Sequence, residues 1–96
     1  MTAPLVPLHG LLQGRLALVT GAGQGNGRAI ALGLARAGAR VVVTDVQATT
    51  VAETAALLRA EGTTAWDYVL DVTDAAACQA LAARVAAECG RVDLLV

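Results

Sequence analysis

The chain has 96 residues, 56% hydrophobic and 16% charged, with a formal net charge of −1. At about 100–200 residues per domain it holds at most one small domain, and disorder, which needs low hydrophobicity and high net charge, is excluded. All seven basic residues are Arg, and one Trp and one Tyr are the only aromatics. A nucleic-acid partner, which wants a basic face and stacking rings, is not expected. Without Lys there is no Gly-Lys-Ser/Thr phosphate loop.

The opening run of residues 1–14 is uncharged but broken by Pro4, Pro7 and Gly10. It falls short of the ~20 apolar residues of a membrane span and lacks the basic start of a secretory signal. No membrane partner is expected, and the cytoplasm is the expected compartment. Residues 1–10 read as a tail. His9, the only His, stands there without a ligand cluster, so no metal site is expected.

Residues 11–96 read as one unit. Leu16 to Thr20 is a short apolar run ending at glycines, which suits a buried parallel strand. A helix over 25–37 carries Ile30 and Leu34 at helical spacing and stops at Gly38. Val41 to Thr44 is β-branched throughout, a second buried strand closing on Asp45. The next helix spans about 48–61, with Val51, Ala55 and Leu58 on one face. Residues 65–70 form a third strand, with Trp66 and Tyr68 on one side at the sheet edge. Thr73 is expected to cap a helix running to about 89, with Asp74 in its first turn. That helix turns Cys78, Leu81, Val85 and Cys89 inward. The two cysteines, eleven positions apart on one helix, lie roughly 16 Å apart and cannot form a disulfide. A fourth strand begins at Val92.

Strands alternating with helices predict an α/β fold: a parallel sheet in a three-layer α/β/α, Rossmann-like arrangement. Right-handed crossovers put the first two helices on one face, and a third crossover returning past strand one puts its helix on the other. The predicted order is 3-2-1-4, cut short after the fourth strand, with a ligand crevice beside strand one.

Chemistry concentrates in Thr20-Gly21-Ala22-Gly23-Gln24-Gly25-Asn26-Gly27, between a strand and a helix. Glycines let backbone approach a pyrophosphate, and the first helix amides are unpaired donors. The GxGxxG fingerprint fails, because its third glycine would fall on Asn26 or Arg28. The pattern TGxxxGxG fits, through Thr20, Gly21, Gly25 and Gly27. Together with Gly38-Ala-Arg-Val-Val42, Asp71-Val72-Thr73-Asp74 and Gly90-Arg-Val-Asp-Leu-Leu-Val96, this resembles the short-chain dehydrogenase/reductase family over residues 11–96. Asn26 departs from the usual Ile, a change expected to alter packing more than binding.

The resemblance implies an NAD(P)-binding part of an oxidoreductase that moves hydride between a nicotinamide and an alcohol or carbonyl substrate. It implies cofactor contacts from Thr20, Gly21, Gln24, Gly25, Asn26 and Gly27, an adenine contact from Asp71, and packing of Val72 near that ring. Asp45, 18 residues past Gly27, can accept both ribose hydroxyls and repel a 2′-phosphate, so NAD is expected over NADP. Arg28 reads as a solvated helix residue, and Asp93 as a strand-entry residue without chemistry.

The family's catalytic Ser and Tyr-x-x-x-Lys are missing: Tyr68 is followed four positions later by Val72, and there is no Lys. The chain is therefore expected to be an N-terminal fragment, inactive and poorly soluble alone, from a protein that forms homo-oligomers when full length. Two other readings stand beside this one. One is a non-catalytic nucleotide-binding module. The other is an S-adenosylmethionine-dependent methyltransferase fragment, for which Gly21-Ala-Gly23-Gln-Gly25 would serve as the loop.

Overall fold

A computed structural model describes residues 10–96. His9 and nearly all of the expected tail lie outside the described residues. The elements follow in the order β1 (Leu16–Val19), α1 (Gly25–Arg36), β2 (Arg40–Asp45), α2 (Ala48–Ala60), β3 (Ala65–Val69), α3 (Ala75–Glu88) and β4 (Leu94–Leu95). The four strands form one parallel sheet in the predicted order, β3-β2-β1-β4.

Alternation along the strands sorts their side chains between two cores. Ala17, Val19, Val41 and Val43 face α1 and α2, burying against Ala31, Val51, Ala55 and Leu58. Leu16, Val42 and Tyr68 turn the other way, onto Leu81 and Val85 of α3 and Cys89 at its C-terminal cap. Both faces of the sheet are thus covered by crossover helices, which is why β1 and β2 read as unbroken apolar runs. Trp66 joins Tyr68 on the α3 side, as their two-residue spacing requires. Cys78 and Cys89 are free thiols.

Three local expectations change. The cap of α3 is Asp74, whose carboxylate accepts from the Ala77 amide at 3.0 Å. Thr73 instead gives its hydroxyl and amide to Asp71 Oδ1 at 2.6 and 2.9 Å, so that turn closes before the helix starts. Ile30 is 40% exposed, and Ala31 is the residue α1 buries, because a helix pressed against a sheet fits a small side chain at its closest approach. Finally, β4 is only two residues long, Leu94 pairing with Ala17 and Leu95 with Leu18.

The entry to β1 and β4 is fixed by Asp93. Its carboxylate accepts from the Leu16 amide at 2.9 Å, while its own amide donates to the Leu16 carbonyl at 2.8 Å. Arg40, at the start of β2, donates to the Cys89 carbonyl at 3.1 Å and so closes the C-terminal end of α3. That role holds Arg40 at the opposite end of the sheet from Asp45.

Candidate functional site

The strand order reverses at β1, whose neighbours β2 and β4 connect to opposite faces of the sheet. At such a switch point the two crossovers diverge and leave a crevice outside the strands' C-terminal ends. Thr20 sits at that point. Its amide and hydroxyl both donate to the Val96 carbonyl, at 3.0 and 2.9 Å, tying the end of β1 to the end of β4.

The chain then reverses through the glycine segment. Gly21 and Gly25 hold φ of +61° and +59°, left-handed values that favour glycine. Gly27 is required by contact: a Cβ there would overlap the Gly21 carbonyl oxygen. A Cβ at Gly23 would overlap the Thr50 hydroxyl and come within 2.6 Å of Asp45 Oδ2. Gly23 therefore lets the loop lie directly against β2 and α2.

The opening of α1 is left bare. Gln24 stands at the cap position in an extended conformation, its side chain makes no capping bond, and the first turn carries no acidic residue. The earliest amides of a helix have no intrahelical acceptor, and the helix dipole adds partial positive charge around them. Uncapped, they can receive an anion. Gln24, Gly25 and Asn26 are exposed there. This donor set fits the pyrophosphate of a dinucleotide.

Asp45 closes β2 beside the loop. Its Oδ2 accepts from the Gly23 amide at 2.8 Å and its Oδ1 from the Val46 amide at 2.7 Å. Each oxygen keeps lone-pair capacity for a hydroxyl donor. The Leu70 amide donates to the Asp45 carbonyl at 2.8 Å, which sets the end of β3 beside the end of β2. Asp71 follows immediately. Thr73 engages only its Oδ1, and those two bonds hold its carboxyl below the usual carboxylate range. Val72 is 60% exposed. It shares with Thr20, Leu18, Cys78 and Leu95 a largely apolar groove of about 770 Å³ between α3 and the sheet.

The predicted residues fall into two groups. Gly21, Gln24, Gly25, Asn26, Gly27 and Asp45 surround the loop between β1 and β2, whereas Thr20 and Val72 meet across the groove on the α3 side, with Asp71 beside it. Arg28 is not a solvated residue. Its Nη2 donates to the Gly23 carbonyl at 2.5 Å and reaches Glu53 at 3.3 Å, while its Nε donates to the Thr54 hydroxyl at 2.9 Å. Thr54 itself is fully buried. It stands three residues after Val51 and four before Leu58, on the apolar stripe of α2, and a hydroxyl in that place signals a buried partner. Among the described residues no group of three or more His, Cys, Asp or Glu could hold a metal ion. None of their helices is long and apolar enough to cross a membrane.

Comparison with known proteins agrees with this geometry. The family model described as short chain dehydrogenase matches residues 15–96. "Probable oxidoreductase EphD" of Mycobacterium tuberculosis (strain ATCC 25618 / H37Rv) is 52% identical over 81 residues, covering 84% of this chain and 14% of that protein. D-threitol dehydrogenase of Mycolicibacterium smegmatis is 46% identical over 85 residues, covering 88% of this chain and 33% of that one. A short chain dehydrogenase/reductase from Burkholderia phymatum, solved in complex with NAD, superposes with a TM-score of 0.84 at 39% identity. That match covers 88% of this chain and 30% of the other. The chain thus spans about a third or less of the proteins it matches. With the sheet order, the loop and the family match in agreement, the chain belongs to the short chain dehydrogenase family.

Proposed function

We propose that residues 11–96 form the dinucleotide-binding part of a nicotinamide-dependent oxidoreductase, with NAD preferred over NADP. The observation that carries this reading is the uncapped opening of α1 beside a carboxylate bonded to the same loop. Backbone amides there favour a pyrophosphate, and Asp45 favours ribose hydroxyls while opposing a 2′-phosphate. In this reading Gly21, Gln24, Gly25, Asn26 and Gly27 line the phosphates, and Thr20 shapes the switch point. Asp71 offers its Oδ2 to the adenine amino group, and Val72 packs against the ring. The NAD complex of the Burkholderia relative supports the cofactor class.

When bound, the nicotinamide would supply or accept a hydride at an alcohol or carbonyl carbon. None of residues 10–96 is assigned to the proton transfer that accompanies it. An alcohol or carbonyl substrate, a homo-oligomeric state and a cytoplasmic location belong to the same reading; family membership supports the first two, and the free thiols Cys78 and Cys89 accord with the third.

Calorimetric titration of the protein with NAD and with NADP tests the proposal, with S-adenosylmethionine as competitor. Saturable, competitor-resistant NAD binding tighter than that of NADP is expected. Replacing Asp45 by Ala should weaken NAD roughly tenfold to a hundredfold, the worth of hydrogen bonds to a charged group. Absence of saturable NAD binding would overturn the reading, and displacement by S-adenosylmethionine would favour the methyltransferase alternative.

A further inference from the structure

Asp45 faces the loop through one amide, that of Gly23, and what aims that amide is a buried polar relay. The Ala22 carbonyl and the Gly23 amide belong to one trans peptide plane, so they point in opposite directions. On one side the Gly23 amide donates to Asp45 Oδ2 at 2.8 Å. On the other, the Thr54 hydroxyl donates to the Ala22 carbonyl at 2.8 Å. A hydroxyl has a single proton, and two further carbonyls lie near it, those of Gly23 at 3.2 Å and Thr50 at 3.3 Å. The Arg28 Nε–H, 2.9 Å from the same oxygen, occupies a lone pair and limits where the proton can go. Arg28 Nη2 also donates to the Gly23 carbonyl, at 2.5 Å. The Ala22 carbonyl, the nearest of the three at 2.8 Å, takes the hydroxyl proton.

Both peptides flanking Gly23 are therefore held from α1 and α2. Glu53, at 3.3 Å from Nη2, neutralises the guanidinium that does the holding. Among the described residues, no buried side-chain polar atom is left without a partner.

The structure assigns Arg28 and Thr54 as positioning residues that aim the Gly23 amide at Asp45 and thereby set the preference for NAD over NADP. The assignment rests on the dinucleotide reading above. Neither residue touches the cofactor in this scheme. Arg28 directs its Nε and Nη2 inward, to Gly23, Thr54, Thr50 and Glu53, so in this scheme it holds the loop rather than a 2′-phosphate. A carboxylate released from Gly23 would be held by the Val46 amide alone and could turn about that bond, losing its aim at the ribose hydroxyls together with its fixed repulsion of a 2′-phosphate.

The test uses the full-length protein carrying these residues, with Thr54→Val, which keeps the buried shape, and Arg28→Met, which keeps the stem. NAD and NADP affinities are measured by calorimetry, and exchange of the Gly23 amide with solvent is followed in the ligand-free protein. In either variant NAD affinity should fall about tenfold and NADP affinity by much less, so that the preference narrows. Gly23 exchange should also quicken, without matching acceleration in β2. Arg28→Lys, which cannot reach Gly23 and Thr54 together, should behave like Arg28→Met. Should Arg28→Met fail to fold, Thr54→Val alone decides. A wild type that prefers NAD, with variants that keep that preference and the slow Gly23 exchange, overturns this assignment and leaves the cofactor reading standing. A wild type that binds neither dinucleotide overturns both.

Discussion

Gly27 and Gly33 lie in the same helix, yet replacing them by Ala should have opposite effects. At Gly27 the new methyl would strike the Gly21 carbonyl, which is rigid backbone, so the loop or α1 must shift. Overpacking of this kind costs about 1–3 kcal/mol, and here it would also displace the amides that the anion needs. At Gly33 nothing lies within 4 Å of the added Cβ and the position is exposed. Helix interiors favour Ala over Gly by about 0.5–1 kcal/mol, so Gly33→Ala should raise the urea midpoint while Gly27→Ala lowers it and abolishes NAD binding. Equal effects at the two positions would remove the contact argument. Tyr68 gives a second residue-scale prediction. Burial, then its contact with the Cys89 thiol at 3.5 Å, pushes its phenol up from 10.0 to about 12, with Arg84 above the ring opposing slightly. The folded state binds that proton more tightly than the unfolded state does. Its contribution is intact below pH 10 and is lost as the pH rises toward 12. The drop in stability over that interval should be smaller in Tyr68→Phe, as read from urea unfolding at stepped pH.

At the scale of elements, the strands and helices announced themselves because each carries one dominant period. Val41 to Thr44 can hardly be other than a buried strand, and Val51, Ala55 and Leu58 describe one helical face. What the pattern did not reveal were choices between adjacent residues of similar chemistry. Thr73 and Asp74 are both good caps; the winner is settled by Asp71, which draws the Thr73 hydroxyl away and leaves Asp74 to the Ala77 amide. The same holds in the site. The glycine pattern and Asp45 were legible, but Arg28 looked like a solvated residue because its partners Thr54 and Glu53 lie 26 and 25 positions away. Such a bond exists only once α1 and α2 share a sheet face. Asp74→Ala should cost about 1 kcal/mol, the usual worth of an N-cap, whereas Thr73→Ala should spare α3 and raise the Asp71 carboxyl toward its ordinary range. Chemical denaturation and carboxyl NMR titration of the two variants distinguish the roles.

At the scale of the molecule the two faces of the sheet are unequally filled. On the α1–α2 side Val51, Ala55 and Leu58 are at most 1% exposed and interlock with both central strands. On the other side only Leu81, Val85 and Cys89 are buried from α3 and its end, with Ala77 and Cys78 partly buried, beside the groove of about 770 Å³ that runs past Thr20 and Val72. An element with fewer buried contacts opens at lower free energy than the rest, and its amides exchange through that partial opening. Asp71 and Val72, proposed above to meet the adenine, lie just before α3, so the weaker face is also the one that the proposed ligand would brace. Ligand bound only to the closed form stabilises it by mass action. In the free chain the amides of α3 should therefore exchange faster than those of β2 and α2. Adding NAD should slow α3 more than it slows β2. Uniform protection across α2, β2 and α3 in the free chain would mean that the groove does not weaken its side of the sheet. A uniform gain on adding NAD would mean that the ligand braces the molecule as a whole rather than this face.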